Sequence, residues 1–228
     1  MIPIRDEIKT KRIPFVNYTL IAINIIVFLI MFLNPAKIDS IVAGNALIPT
    51  DVTQGFKIGV LKNFITAMFM HAGWLHLLSN MLYLWIFGDN IEDRLGHVGY
   101  LLFYLAAGIF ASGLHIIFNP TSNIPSLGAS GAIAGVLGAY LIFYPQSKVY
   151  TFIPFGFFMR LRPLPAIVVL GLWFVMQIFS GVGSLMAQGQ GGGVAYWAHI
   201  GGFVFGLLIG FLFNKRIKEP VPAPPHWN

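Results

Sequence analysis

An all-α, polytopic membrane protein with six spanning helices and both termini on the cytoplasmic side is the fold class this sequence predicts. Three observations predict it. Of the 228 residues, 57% are hydrophobic and 10% charged, whereas soluble domains carry about 25% charged residues. So few charges cannot cover a soluble surface. Six apolar runs approach the roughly 20 residues that a helix needs to cross a bilayer. Lys37, Lys57 and Lys62 are the only cations on one side of those runs, which leaves eleven of the fourteen Lys and Arg residues on the other. The cation-rich side is the cytoplasmic one.

The opening "MIPIRDEIKTKRIP" carries Arg5, Lys9, Lys11 and Arg12 and precedes the first span, about 15–33. No small-residue cleavage site precedes the end of that span, so it reads as a retained anchor and not a removed signal peptide. The first loop, Asn34–Asn63, mixes apolar and turn residues and suits a segment that dips into the outer leaflet. Loops of such length are usually functional or disordered. The remaining spans are read at about 69–87, 98–118, 128–144, 164–182 and 195–213. Their connections hold the breakers: "GDNIEDRLGH", "NPTSNIP", "YPQSK" and "MRLRPLP". Residues 1–214 thus read as one membrane domain. Residues 215–228, basic and then Pro-rich in "EPVPAPPHWN", read as a disordered cytoplasmic tail.

Several functions are excluded at this stage. The chain has no cysteine, which removes thiol nucleophiles, disulfides and Cys-ligated metals. Its net charge of +6 is distributed as a topology signal, so a nucleic-acid partner is not expected. No acidic residue lies within a span, which argues against an aspartyl protease and against most ion pumps. His71 and His76 are five apart, not the four that align ligands on a helix face, and no H-E-x-x-H occurs. No metal and no other cofactor is expected. No internal repeat suggests an inverted-repeat transporter.

Polar side chains inside spans mark function by default. The second span opens "HAGWLHLLSN", with His71, His76 and Asn80; His115 lies in the third, Ser130 in the fourth and His199 in the sixth. His76 and Asn80 are four apart and share a helix face. The second, fourth and sixth spans all run inward, so His76, Asn80, Ser130 and His199 arrive in the outer half of the bilayer. Taken alone, Ser130 between small residues suits helix packing, as does the Gly202-x-x-x-Gly206 spacing. Taken together, the group suits nucleophilic chemistry. An imidazole within reach activates a serine hydroxyl, and an amide, a second imidazole and helix-start N–H groups can stabilise an oxyanion. Without a buried carboxylate the catalytic unit would be a Ser–His dyad.

These residues carry a resemblance. The Arg-rich start, "HAGWLHLLSN" as H-x4-H-x3-N, "IEDRLG", "GASG" and "AHIGGFVFG" stand in an order and spacing that resemble the rhomboid family of intramembrane serine proteases, in its six-span bacterial form. The resemblance implies Ser130 as nucleophile, His199 as general base and acid, and His76, Asn80 and the Ser130 amide around the oxyanion. It implies that Gly128 gives the loop its close approach, that His71 shapes the same cavity, and that Glu92 and Arg94 brace the cytoplasmic end. It also implies single-span membrane proteins as substrates, the lipid bilayer as surroundings, an inner (plasma) membrane location and activity as a monomer. Two positions depart from the family pattern: Lys62 and Asn63 stand where many members carry a Trp-Arg pair, and Ala134 stands where some carry a Tyr against the catalytic imidazole. The Gly-rich segment Ser180–Trp197 reads as a lid, with the fifth span shifting beside it to admit substrate. A catalytically silent rhomboid-like helix binder is the alternative, but such relatives typically lack the Ser or the His.

Overall fold

The computed structural model describes residues 1–56, 58–155, 158–186 and 194–214. In chain order the elements are β1 (Ile2–Asp6), α1 (Phe15–Phe32), α2 (Ile38–Asn45), α3 (Pro49–Thr53), α4 (Asn63–Thr66), α5 (Trp74–Leu95) and α6 (His97–Phe118). They continue with α7 (Ser130–Phe143), β2 (Lys148–Phe155), β3 (Phe158–Pro165), α8 (Ala166–Met186) and α9 (Tyr196–Asn214). The tail at 215–228 and residues 187–193 of the expected lid lie outside the described residues.

Among the described residues, α1, α6, α8 and α9 are long and apolar enough to cross a membrane. The chain is therefore a multi-pass membrane protein. Two further helices fall where spans are expected but differ from the simple apolar run. α7 has 14 residues and so spans about 21 Å, short of a hydrocarbon core of roughly 30 Å. α5 starts at Trp74, five residues later than expected, because Met70 and Gly73 are extended. It then continues through the expected break at "GDNIEDRL", and Gly96 ends it at φ +73°.

The polar end of α5 stays helical because its side chains find partners on other segments. α1 begins behind Pro14 without a side-chain cap of its own, and the first N–H groups of a helix have no partner within it. The buried Glu92 carboxylate supplies the cap from α5, accepting from Val16 N (2.9 Å) and Asn17 N (2.7 Å). His97 meets the same carboxylate, and Asp93 accepts from the N–H groups of Lys11 and Arg12. Glu92→Gln would turn an NH2 toward those donors. We expect it to lower stability by about 2 kcal/mol, the scale of a charge-assisted pair of hydrogen bonds. Thermal unfolding in detergent measures this, and an unshifted midpoint would contradict it.

The fold is mostly helical, but the all-α expectation needs correction. β1, β2 and β3 form an antiparallel sheet in that order. The stretch read as breakers is a hairpin, and the N-terminal segment adds the third strand, with Ile2 opposite Phe152 and Asp6 opposite Val149. Alternation explains it: Val149 and Thr151 are buried while Lys148 is exposed. Pro163 and Pro165 are tolerated because β3 has no strand beyond it among the described residues. Arg5 lies over the Tyr150 ring at 4.0 Å.

Asp6 joins this sheet to the helices. Its Oδ2 accepts from Tyr140 Oη (2.6 Å) and Asn90 Nδ2 (2.9 Å). Burial outweighs those donors and pushes its pKa up from 3.8 to about 6. The folded chain thus holds this proton more tightly than the unfolded one. The resulting stability is fully present below about pH 4 and is lost as pH rises through about 6. Asp6→Asn should flatten that part of the pH dependence, checked by unfolding midpoints at about pH 4 and about pH 8. Parallel wild-type and variant curves would contradict the assignment.

α7 is the centre of the bundle, buried at every residue from Gly131 to Tyr140. α9 lies against it backbone to backbone: a Cβ at Gly202 would collide with the Gly131 carbonyl oxygen, and one at Gly206 with that of Gly135. The first loop is tied to the α6–α7 connection. Leu47 and Ser126 exchange backbone hydrogen bonds (3.0 and 2.8 Å), and Thr53 Oγ1 donates to Pro120 O (2.6 Å). Lys62 and Asn63 tie the first loop to itself: Asn63 Nδ2 donates to Ala46 O (2.9 Å) and Lys62 Nζ to Asn45 Oδ1 (3.4 Å).

Candidate active site

Ser130 is the first residue of α7. The turn that delivers it needs glycine at 128: its φ of +127° is unfavourable for any residue with a side chain, and a Cβ there would fall 2.7 Å from the His76 ring. The Gly128 N–H donates to Ala67 O (2.8 Å), which pins the turn to the end of the first loop.

His199 is the fourth residue of α9. The Gly202–Gly131 contact between α9 and α7 lies within three residues of both side chains and allows the approach. His199 Nε2 stands 2.8 Å from Ser130 Oγ. The other ring nitrogen, Nδ1, stands 2.8 Å from Gln177 Oε1 on α8, and the Trp173 ring lies 5.8 Å from the imidazole at a 34° tilt. These two α8 residues flank the His199 ring, while the position one turn beyond Ser130 holds Ala134 and no Tyr.

His76 lies in the first turn of α5 and Asn80 one turn further along. His76 Nδ1 accepts from Ala72 N (3.4 Å), and its ring meets that of His71 edge-on at 4.9 Å. Asn80 is buried, and its Nδ2 has no acceptor among the described residues. His71 is buried behind His76.

His76, Asn80, Ser130 and His199 line one cavity of about 1210 Å³. His115 of α6 lines it too, beside Asn119. It is also lined by the α6–α7 connection and by residues 194–197, which lead into and begin α9. All four side chains that the sequence singles out as a group are therefore brought together, with Gly128 against His76. Gln177 was missed. It is the only amide in α8, whose other polar side chains are Ser180 and Ser184, and that signal could have raised it, since polar groups in such helices usually have partners.

A family model described as the rhomboid domain matches residues 59–216, which hold every one of these side chains. The chain belongs to the rhomboid family. Among its rhomboid relatives is "Rhomboid protease GluP" of Bacillus subtilis, 30% identical over 95% of this chain and 41% of its own length. "Rhomboid protein 1, mitochondrial" of Saccharomyces cerevisiae is 29% identical over 69% of this chain and 43% of its own. "RHOMBOID-like protein 1" of Arabidopsis thaliana is 36% identical over 66% of this chain and 34% of its own. The chain spans less than half the length of each of these rhomboid proteins.

Proposed function

We propose that this rhomboid-family chain is an intramembrane serine endopeptidase that cleaves single-span membrane proteins near the outer interface. The observation that carries the reading is the 2.8 Å contact between His199 Nε2 and Ser130 Oγ inside a polar cavity. Silent rhomboid-like proteins typically lack one of the two residues, so this pairing favours the enzyme.

The chemistry follows from the atoms. Ser130 Oγ bonds to the substrate carbonyl carbon, its proton passes to His199 Nε2, and the carbonyl electron pair moves onto oxygen. His199 then returns that proton to the amide nitrogen as the C–N bond breaks, which leaves an acyl ester on Ser130. Water repeats the sequence: its oxygen bonds to the acyl carbon as His199 takes its proton, the C–Oγ bond breaks to release the new carboxyl terminus, and His199 returns the proton to Oγ. The oxyanion would be met by the Ser130 N–H at the helix start, by Asn80 Nδ2 and by His76. With Nδ1 accepting from Ala72, the neutral His76 ring carries its proton on Nε2, the nitrogen beside Gly128.

In this reading α1, α5, α6, α7, α8 and α9 are six spans of one membrane domain over residues 1–214. The short α7 would start below the outer surface, which sinks Ser130 into the bilayer's outer half. Both termini would be cytoplasmic, the first loop would rest in the outer leaflet, the membrane would be the inner (plasma) membrane and the active form a monomer. The test uses purified protein, a single-span model substrate and a serine-directed fluorophosphonate. Substrate cleavage is expected, with label on Ser130 in wild type and none in His199→Ala. Absence of both cleavage and label in wild type would overturn the proposal.

A further inference from the structure

We propose that Gln177 is a positioning residue that holds the His199 imidazole in the one tautomer able to take the Ser130 proton. The inference rests on the dyad reading and concerns how the base is held. A neutral imidazole carries a single N–H, on either nitrogen. Only the form with the proton on Nδ1 leaves the Nε2 lone pair facing Ser130 Oγ, 2.8 Å away. Gln177 Oε1 is 2.8 Å from Nδ1 on the far side of the ring. An amide oxygen there accepts the Nδ1–H and so selects that tautomer. It goes on accepting the same hydrogen when the ring becomes an imidazolium, so nothing need reorganise during proton transfer.

No carboxylate competes for this role, since no Asp or Glu occurs between Asp93 and Glu219, and none lines the cavity. An amide also avoids the desolvation of a buried charge that an Asp would bring. Trp173 supports the assignment: it is one turn from Gln177 on the same face of α8, and its ring limits the tilt of the imidazole from the side. A single helix face thus supplies both the hydrogen bond and the wall. The titratable groups near enough to act on His199 are His76 from α5 and His115 from α6, while α7 and α8 contribute Ser130 and Gln177.

The test compares wild type, Gln177→Met and Gln177→Glu as full chains in detergent with a single-span model substrate. Gln177→Met is expected to lower kcat about tenfold or more, the weight of a hydrogen bond to a developing cation. KM should stay within about twofold, and Ser130 labelling by fluorophosphonate should slow by the same factor as kcat. Gln177→Glu is expected to exceed Gln177→Met in kcat and to move the acid limb of kcat/KM upward by about one pH unit, because a carboxylate favours the imidazolium. A residue that merely packs α8 on α9 would shift neither the kcat-to-KM split nor the acid limb. A folded Gln177→Met with kcat within about twofold of wild type would overturn the inference. Should Gln177→Met not fold, Gln177→Glu decides the matter, and an acid limb left in place would overturn the inference. If wild type cleaves nothing, or Ser130→Ala cleaves equally well, the dyad reading itself fails. Active wild type and silent Ser130→Ala beside an unaffected Gln177→Met would remove only the role given to Gln177.

Discussion

Cleavage by Ser130→Ala protein is expected to fall by at least about four orders of magnitude, to the residual rate that substrate binding and the oxyanion donors supply without a nucleophile. Alanine leaves no atom to form the acyl ester, so the two-step path is closed and not merely slowed. His199→Ala should fall nearly as far, because the hydroxyl retains its proton without the imidazole 2.8 Å away. The informative variant is the double one. Two residues that act as one unit are non-additive, and Ser130→Ala/His199→Ala should be no slower than Ser130→Ala alone. Substrate cleavage followed by gel over a long incubation measures all three. A double variant slower by the product of the single effects would mean that the side chains contribute separately, and the dyad would be wrong. Circular dichroism and unfolding midpoints near wild type are expected throughout, since removing the hydroxyl opens little space beside a cavity of about 1210 Å³.

How much of this could be read from the sequence depends on how local each signal is. The long helices were legible because twenty-residue apolar runs need no partner to be recognised, and α1 and α6 match their expected limits to within a residue or two. His76 and Asn80 were legible as a pair because four-residue spacing fixes their common face. The joining of Ser130 to His199 was legible only through depth, which in turn depended on counting charges to orient the spans. The sheet was not legible. β1 has no meaning until Val149–Phe152 lie beside it, more than 140 residues away, and Pro163 and Pro165 read locally as breakers. Glu92 is similar: a carboxylate capping a helix through an N–H 75 residues earlier leaves no trace in spacing. The start of α5 was missed for a different reason, since Met68–Gly73 is as apolar as the helix and only its backbone distinguishes it. With Ala134 in place of a Tyr, the residues beside the His199 ring, Gln177 and Trp173, come from another helix, and composition gives no means of choosing them.

Gly202→Ala is expected to damage both stability and activity, by amounts that a single methyl group rarely reaches. Its Cβ would collide with the Gly131 carbonyl oxygen and lie 3.2 Å from the Ala134 Cβ. Neither is the free end of a flexible side chain, so α9 must move away from α7 as a body. The same line of contact continues at Gly206 against Gly135 and at Gly138 against Phe203. Separation would therefore open a seam along buried helices, not a single site. Overpacking of this kind costs about 3 kcal/mol. The activity effect follows from the same movement. His199 lies three residues before Gly202, and Ser130 directly precedes Gly131, so widening the seam lengthens the 2.8 Å contact between them. A displacement of about 1 Å at a reacting pair costs on the order of a hundredfold in rate. Gly113→Ala on α6 is the control, because a Cβ there meets nothing within 4 Å, and it should change stability by less than about 0.5 kcal/mol. Unfolding midpoints and cleavage rates of the two variants separate the possibilities. If Gly202→Ala kept wild-type activity while losing stability, the seam would be structural alone, and the geometry of the Ser130–His199 contact would have to be set elsewhere.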